Sequence, residues 1–359
     1  MASPAAPPTS PAYRVCLIGS GGVGTIASLV LTKSGQAHVT AVLRSKFQYV
    51  SEHGWDIESV DHGSLKGWRP HRVVGSASEA AKDEQGEKIE YDYVVVCTKQ
   101  LPECNPVTAM IEPVMTAGRT TVVLIQNGMG IEDEVLAAWP TNTVVSSVSH
   151  IGSGVEEPNR VVQVGKDVSK MGPHHGPSSV YGSSSTTTSE SGPDADSAAK
   201  TARIEKAAAF VKMYNAGGAH VCELVDDIEA ARWEKLLWNG TFNTVCALTR
   251  TDVGEIQRSK GRESLLLPMM SEIWNIAKAA DHPLEDTIVQ WMAYRLSDDI
   301  KYRPSMLLDL ENSRPMELEV ILGNPLKVAK RLGVSTPVMD VVYNLLKVEA
   351  WKIDQLGRK

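Results

Sequence analysis

The sequence predicts two units of different class: an α/β N-terminal unit built on a doubly wound, mostly parallel sheet, then an all-helical C-terminal unit. Three observations carry this. An apolar run at residues 14–18 (RVCLI) ends in Gly19-Ser-Gly-Gly-Val-Gly24 and leads into a helical pattern. Further β-like runs then recur, separated by helix-length stretches, as alternating βα units do. After one last run at residues 219–224, strand patterning gives way to helical periodicity. The expected organisation is a disordered tail over residues 1–12, a Rossmann-type dinucleotide-binding domain over 13–224, and a helical substrate domain over 225–359.

Each element has its own warrant. The first strand, the glycine turn, a helix over residues 25–34 stopped by Gly35 and a second strand over 37–43 form the opening of a Rossmann-type unit. Residues 93–97 (YVVVC), 120–125 (TTVVLI) and 143–148 (TVVSSV) supply more strands, and the charged run DEQGEKIE at 83–90 reads as a solvated face. Residues 166–202 are dominated by Ser, Thr, Gly and Pro, which predicts a low-complexity surface insertion carrying His174 and His175 as loop histidines. Helices are expected over 226–248, 261–280, 283–295, 315–332 and 337–354. Pro315 and Pro337 suit first turns, and Gly333 suits a position just past a helix end.

Composition removes whole classes of function. The 359 residues hold 36 Lys+Arg against 43 Asp+Glu, a net charge of −7, so no basic stripe for nucleic acid is expected. No apolar run reaches the length of a membrane span, and the first twelve residues lack the charge and apolar core of a targeting segment. A cytoplasmic protein is expected. The five cysteines are odd in number, contain no C-x-x-C pair and lack a neighbouring His at zinc-ligand spacing, so neither disulfides nor a metal site is expected. Cys16 and Cys97 lie in apolar runs as packing residues, and Cys246 lacks a matched His for a nucleophile's role. A homodimer is compatible with the helical half, although no heptad or exposed apolar stripe demands one.

The glycine turn points to a phosphate-bearing cofactor. Gly19 would make the tight turn, Gly21 would let the backbone approach a pyrophosphate, and Gly24 would let the helix pack on the sheet, with Gly22 between them. The free N–H groups at that helix's N-terminus would bind the phosphates. The alternative is a plain turn. NAD-selective units end the second strand in an acid, but here it ends in Arg44-Ser45-Lys46. A guanidinium suits a 2′-phosphate, which favours NADP(H), unless Arg44 and Lys46 are ordinary surface charges.

A second pattern lies in Arg232-Trp-Glu-Lys-Leu-Leu-Trp-Asn-Gly-Thr-Phe-Asn243. Lys235, Asn239 and Asn243 are spaced i, i+4, i+8 and drift by only about 40° per step, so they share one helix face. One ammonium and two amides on such a stripe suit the wall of a polar cleft; a solvated face remains the plainer alternative.

These motifs together resemble the ketopantoate reductases (2-dehydropantoate 2-reductases). The resemblance covers most of the patterned chain. It rests on the GSGGVG turn, Cys97-Thr-Lys99, Ile125-Gln-Asn-Gly128, RWEKLLWN, and Ser305-Met-Leu-Leu-Asp309 followed by Arg314-Pro-x-Glu317. It implies NADPH-dependent reduction of 2-dehydropantoate to (R)-pantoate, feeding pantothenate and coenzyme A biosynthesis. It also implies Lys235 as general acid, Glu317 as second catalytic carboxylate, and Asn239, Asn243 and Ser305 on the substrate. Asn127 would lie beside cofactor and substrate, and Lys99 near the cofactor. Burial would bring a cleft lysine's pKa toward neutrality. Glu317, two residues after Pro315, is expected in a helix's first turn, where the dipole would keep it ionised. Two other readings stand beside this: the same mechanism on another 2-oxo acid or ketone, or a non-catalytic NADPH-binding sensor. The sensor would need the glycine turn but neither Lys235 nor Glu317.

Overall fold

A computed structural model of the chain describes residues 12–174 and 193–357. The expected tail, up to residue 11, and residues 175–192 of the expected insertion lie outside the described residues. Among the described residues, twelve strands form two sheets. They are β1 (Tyr13–Ile18), β2 (Ala37–Val42), β3 (Trp55–Ser59), β4 (Gly63–Trp68), β5 (Arg72–Val74) and β6 (Tyr93–Val96), followed by β7 (Thr121–Leu124), β8 (Val144–Ser149), β9 (Ser153–Glu156), β10 (Arg160–Gln163), β11 (Val168–Pro173) and β12 (Val221–Leu224).

The main sheet has eight strands in the order β12-β11-β8-β7-β6-β1-β2-β5. All its pairs are parallel except β11 against β8. Its centre is made by the valine-rich runs: every residue of β6 (YVVV) and β7 (TVVL) is buried, as a parallel strand covered on both faces requires. The chain runs from β1 to β2 on one side and later returns to β6 on the other. The strand order therefore reverses beside β1, and a crevice opens at the C-terminal ends of β1 and β6.

Alternate residues of the sheet serve two cores. Val15, Leu17, Val95 and Val123 pack beneath the helices Gly22–Lys33 and Pro193–Ala216, with Phe210, Met213 and Tyr214 from the latter. Cys16, Ile18, Val94, Val96, Val122 and Leu124 face the other way, and their core runs on without a break into the helical half. There the helix Leu267–Ala279 buries Met269, Met270, Ile273 and Ile276 at its centre. None of the described helices is long and apolar enough to cross a membrane.

Several expectations need correction. A second sheet, β4-β3-β10-β9, covers the outer side of the dinucleotide unit. Its strands have four to six residues with one wet face, and Trp55, Ile57 and Val161 are its only buried apolar residues, so the apolar signal was too sparse to read as a sheet. Residues 166–202 are not one unstructured insertion: β11 joins the main sheet and a helix begins at Pro193. His174, just past the end of β11, is in a loop but not on the surface. It is buried and ion-paired to Glu229 at 2.9 Å, and Glu229 in turn meets His282 at 2.9 Å. In place of a helix over 283–295 there is only Ile288–Tyr294. Pro315 stands ahead of its helix in an irregular segment, with the regular helix Asn324–Leu332 entered through a π-turn at Glu319–Gly323. Gly333 does end that helix, in the left-handed region at φ +69°, and Pro337 opens the last one. That helix leaves Val341, Leu345, Val348 and Trp351 exposed, an apolar stripe the sequence reading did not pick out.

Candidate active site

Parallel pairing brings the candidate residues together. Ile18 of β1 pairs with Val96 of β6, and Val96 with Leu124 of β7. The loops leaving these strands, residues 19–24, 97–100 and 125–128, therefore emerge side by side at the sheet's C-terminal edge.

The glycine turn fits a dinucleotide. Gly19 has φ +98°, and a Cβ there would stand 2.7 Å from the Thr98 nitrogen. A Cβ on Gly24 would lie 1.8 Å from the Gly19 carbonyl oxygen. Gly21 differs: nothing lies within 4 Å of its missing Cβ, so its free side opens onto the crevice. It is the N-cap of the helix Gly22–Lys33, which has no side-chain cap bond and no acid in its first turn. That end keeps bare N–H groups and a positive dipole, the chemistry a pyrophosphate needs. At Gly22, also expected at the cofactor, the missing side chain admits β9, whose Gly154 nitrogen would be 2.6 Å from its Cβ. At the end of β2 the two cations separate. Lys46 is ion-paired to Glu157 and donates to the Pro158 carbonyl at 3.0 Å. Arg44 is exposed, and its guanidinium has no partner among the described residues.

Lys235 sits at the end of the helix Ile228–Trp238 and reaches across to the sheet edge. Its Nζ donates to Asn127 Oδ1 at 2.8 Å and to the Ser149 carbonyl at the end of β8. Asn127 Nδ2 donates in turn to Glu317 Oε2 at 3.3 Å, and Glu317 Oε1 accepts the Gln100 N–H at 2.9 Å. An ammonium carries three donors, and two are engaged. The third is left for a small cleft whose apolar lining is Met129, Val148 and Leu236, with Asn239 on its wall. Burial, helped by the nearby Arg232 charge and opposed by Glu317, brings the Lys235 pKa down to about 8. Burial moves Glu317 the other way, above the usual carboxylate range, against the Gln100 and Asn127 hydrogen bonds and the Lys99 charge. This corrects the expectation for Glu317. It stands one residue ahead of the first helical turn, its carbonyl accepting the Ile321 N–H at 3.1 Å, and hydrogen bonds from the neighbouring loops hold its carboxylate.

The amide stripe continues from Lys235. Residues Asn239–Asn243 form a π-turn, whose wider i→i+5 spacing brings i and i+4 side chains nearer one line than an α-turn does. Asn243 Nδ2 donates to Asn239 Oδ1 at 3.2 Å and to Ser305 Oγ at 3.4 Å. All but Ser305 are buried, so the solvated-face alternative does not hold. Lys99, on the loop after β6 at the crevice, is ion-paired to Asp309 and donates to the Pro315 carbonyl at 3.3 Å, which ties its loop to the segment carrying Glu317. Cys246 is buried among apolar residues, and its thiol is pushed up to about 12, which removes it as a nucleophile.

Sequence reasoning passed over the backbone groups of Gln100 and Ser149, which carry no side-chain signal. It also passed over Arg232, an arginine three residues before Lys235. Such a residue ordinarily snorkels to solvent, yet here its side chain is 4% exposed and paired with Glu132, itself 2% exposed.

Comparison with known proteins agrees with this arrangement. The family model described as ketopantoate reductase PanE/ApbA matches residues 15–176, and its C-terminal companion matches residues 227–350. An uncharacterized protein of Saccharomyces cerevisiae is 34% identical over 95% of each chain. A 2-dehydropantoate 2-reductase of Nostoc sp. is 25% identical, covering 93% of this chain and 94% of its own. The crystal structure of 2-dehydropantoate 2-reductase from Methylococcus capsulatus superposes with a TM-score of 0.76 at 29% identity, over 95% of this chain and 97% of that one. With both halves of the chain matched in order, this protein belongs to the ketopantoate reductase family.

Proposed function

We propose that this protein is an NADPH-dependent reductase that converts 2-dehydropantoate to (R)-pantoate, with Lys235 as the general acid. The observation that carries this reading is the Lys235 ammonium: two of its donors are held by Asn127 and Ser149, and the third faces a cleft beside the glycine crevice. The bare helix N-terminus at Gly21 would hold the pyrophosphate of a nicotinamide dinucleotide, and unpaired Arg44 its 2′-phosphate. That cofactor supplies a hydride to the keto carbon. The oxygen then develops negative charge, and Lys235 meets it with a positive charge and the proton that completes the alcohol. Lys235 leaves that step neutral and regains a proton from solvent. A lysine near pKa 8 suits this, because it is mostly charged at neutral pH yet a far better proton donor than a lysine in water. Asn127 fixes the ammonium's direction, and Glu317 fixes Asn127. Asn239, Asn243 and Ser305 offer amide and hydroxyl groups to the substrate's carboxylate and hydroxyl.

The test is NADPH oxidation, followed by its absorbance, with purified protein and a panel of 2-oxo acids. Turnover of 2-dehydropantoate well above the others supports the reading. Turnover of a different ketone alone would keep the mechanism and replace the substrate. Tight NADPH binding without turnover of any would favour the sensor.

A further inference from the structure

The Arg232 side chain does more than fill space next to Lys235. Its Nε donates to Ser146 Oγ at 2.7 Å and meets Glu132 Oε1 at 2.8 Å. Its Nη1 donates to the Gln126 and Gly128 carbonyls at 3.1 and 2.9 Å, and its Nη2 to the Ser147 carbonyl at 3.3 Å. Those acceptors are placed tellingly. Gln126 and Gly128 flank Asn127 on both sides, and Ser147 lies two residues before Ser149 on the same strand. Asn127 and Ser149 are the two acceptors of the Lys235 ammonium.

We propose that the buried Arg232–Glu132 pair is a positioning device for Lys235: it fastens the loop and the strand end that aim the ammonium onto the helix that carries it. The inference rests on the reading of Lys235 as proton donor. The task needs an arginine, since only a planar fork with five donors can satisfy acceptors on two separate segments together with a carboxylate. Glu132 and Ser146, which also hydrogen-bond each other, complete the set and leave the guanidinium charge balanced in a dry site.

Because the pair stands one helical turn from Lys235, its two charges act on the ammonium in opposite senses. Removing the Glu132 charge leaves the Arg232 cation unbalanced and makes the ammonium easier to deprotonate. Removing the Arg232 cation does the reverse. The other charges around Lys235 stay in place in both variants: Glu317 just ahead of the π-turn, Glu234 on its own helix, Lys170 on β11, His150 after β8 and Arg295 beyond the helix Ile288–Tyr294.

The experiment is competitive acetylation of Lys235 across pH, read by mass spectrometry on the full chain, beside kcat/KM profiles. Glu132→Gln should lower the Lys235 titration midpoint and Arg232→Met should raise it, each by about one pH unit for a charge at this range. Arg232→Lys keeps the charge and loses the fork. It should leave the midpoint close to that of the unmodified protein while kcat falls about tenfold to a hundredfold with little change in KM. If Arg232→Met does not fold, Glu132→Gln and Arg232→Lys carry the test. Midpoints that stay put, or that move the same way in both charge variants, overturn the proposal, as does Arg232→Lys with full kcat. Labelling does not depend on turnover. A Lys235→Ala protein that keeps its activity would sink the proton-donor reading while leaving the labelling result to decide the coupling.

Discussion

Replacing Lys235 by methionine should abolish activity and at the same time stabilise the protein. The folded protein holds this ammonium at a pKa of about 8, against an ordinary lysine value of 10.5. At about 1.4 kcal/mol per pH unit, that difference costs the folded state on the order of 3 kcal/mol wherever the lysine is charged. Methionine keeps most of the stem's packing and removes the buried charge, but loses the hydrogen bonds to Asn127 and Ser149, worth about 1 kcal/mol each. A net gain of about 1 kcal/mol at neutral pH is left. The pH dependence identifies its origin. Between pH 8 and 10.5 the unfolded chain keeps its proton while the folded one has lost it, so the unsubstituted protein gains stability as pH rises through that window. The advantage of Lys235→Met should therefore be full below pH 8 and shrink towards 10.5. Urea unfolding at several pH values measures it, and kcat should fall by about 10²–10⁴ in the same protein. A variant less stable at neutral pH, or a difference that ignores pH, would refute the burial argument; undiminished kcat would remove Lys235 from the chemistry.

Three further outcomes are expected. Arg44→Ala should weaken NADPH binding much more than NADH binding, measured by fluorescence titration; equal losses would rule out a 2′-phosphate contact. Glu317→Gln removes a neighbour that raises the Lys235 pKa, so the alkaline limb of the kcat/KM profile should move to lower pH; a move to higher pH would contradict the geometry. Gly21→Ala should fold normally, since its φ of −75° suits alanine and its Cβ meets no protein atom, yet it should lose cofactor affinity. Gly24→Ala should unfold or misfold, its Cβ having no space against the Gly19 carbonyl. Similar expression and melting temperature for the two alanine variants would count against this division of roles.

Features that depend on a few neighbouring residues were legible in the amino-acid order. The glycine turn, the valine strands, the stripe of Lys235, Asn239 and Asn243 and the cap at Gly333 are all local, because steric limits and helical or strand periodicity act over a handful of positions. The small sheet was harder, since short half-wet strands resemble loops until a partner is beside them. Glu317 shows the limit of local rules: a proline two residues earlier suggested a helix start, but the helix begins only at residue 318, and contacts with Gln100 and Asn127, some 200 positions away, hold the carboxylate.

Pairing among charges was decided by packing alone. Nothing in the order of residues separates Arg44, which has no partner among the described residues, from Lys46, which Glu157 takes up, or tells that Lys99 binds Asp309. Arg232 looks like any surface arginine until the chain closes around it with Glu132. Charge in water is cheap and indifferent to its neighbours, whereas charge in a dry interior must find its partners. The amino-acid order determines which groups are present and how each turn bends; the fold alone determines which of them lose water together, and that is what brings the Lys235 pKa down to about 8.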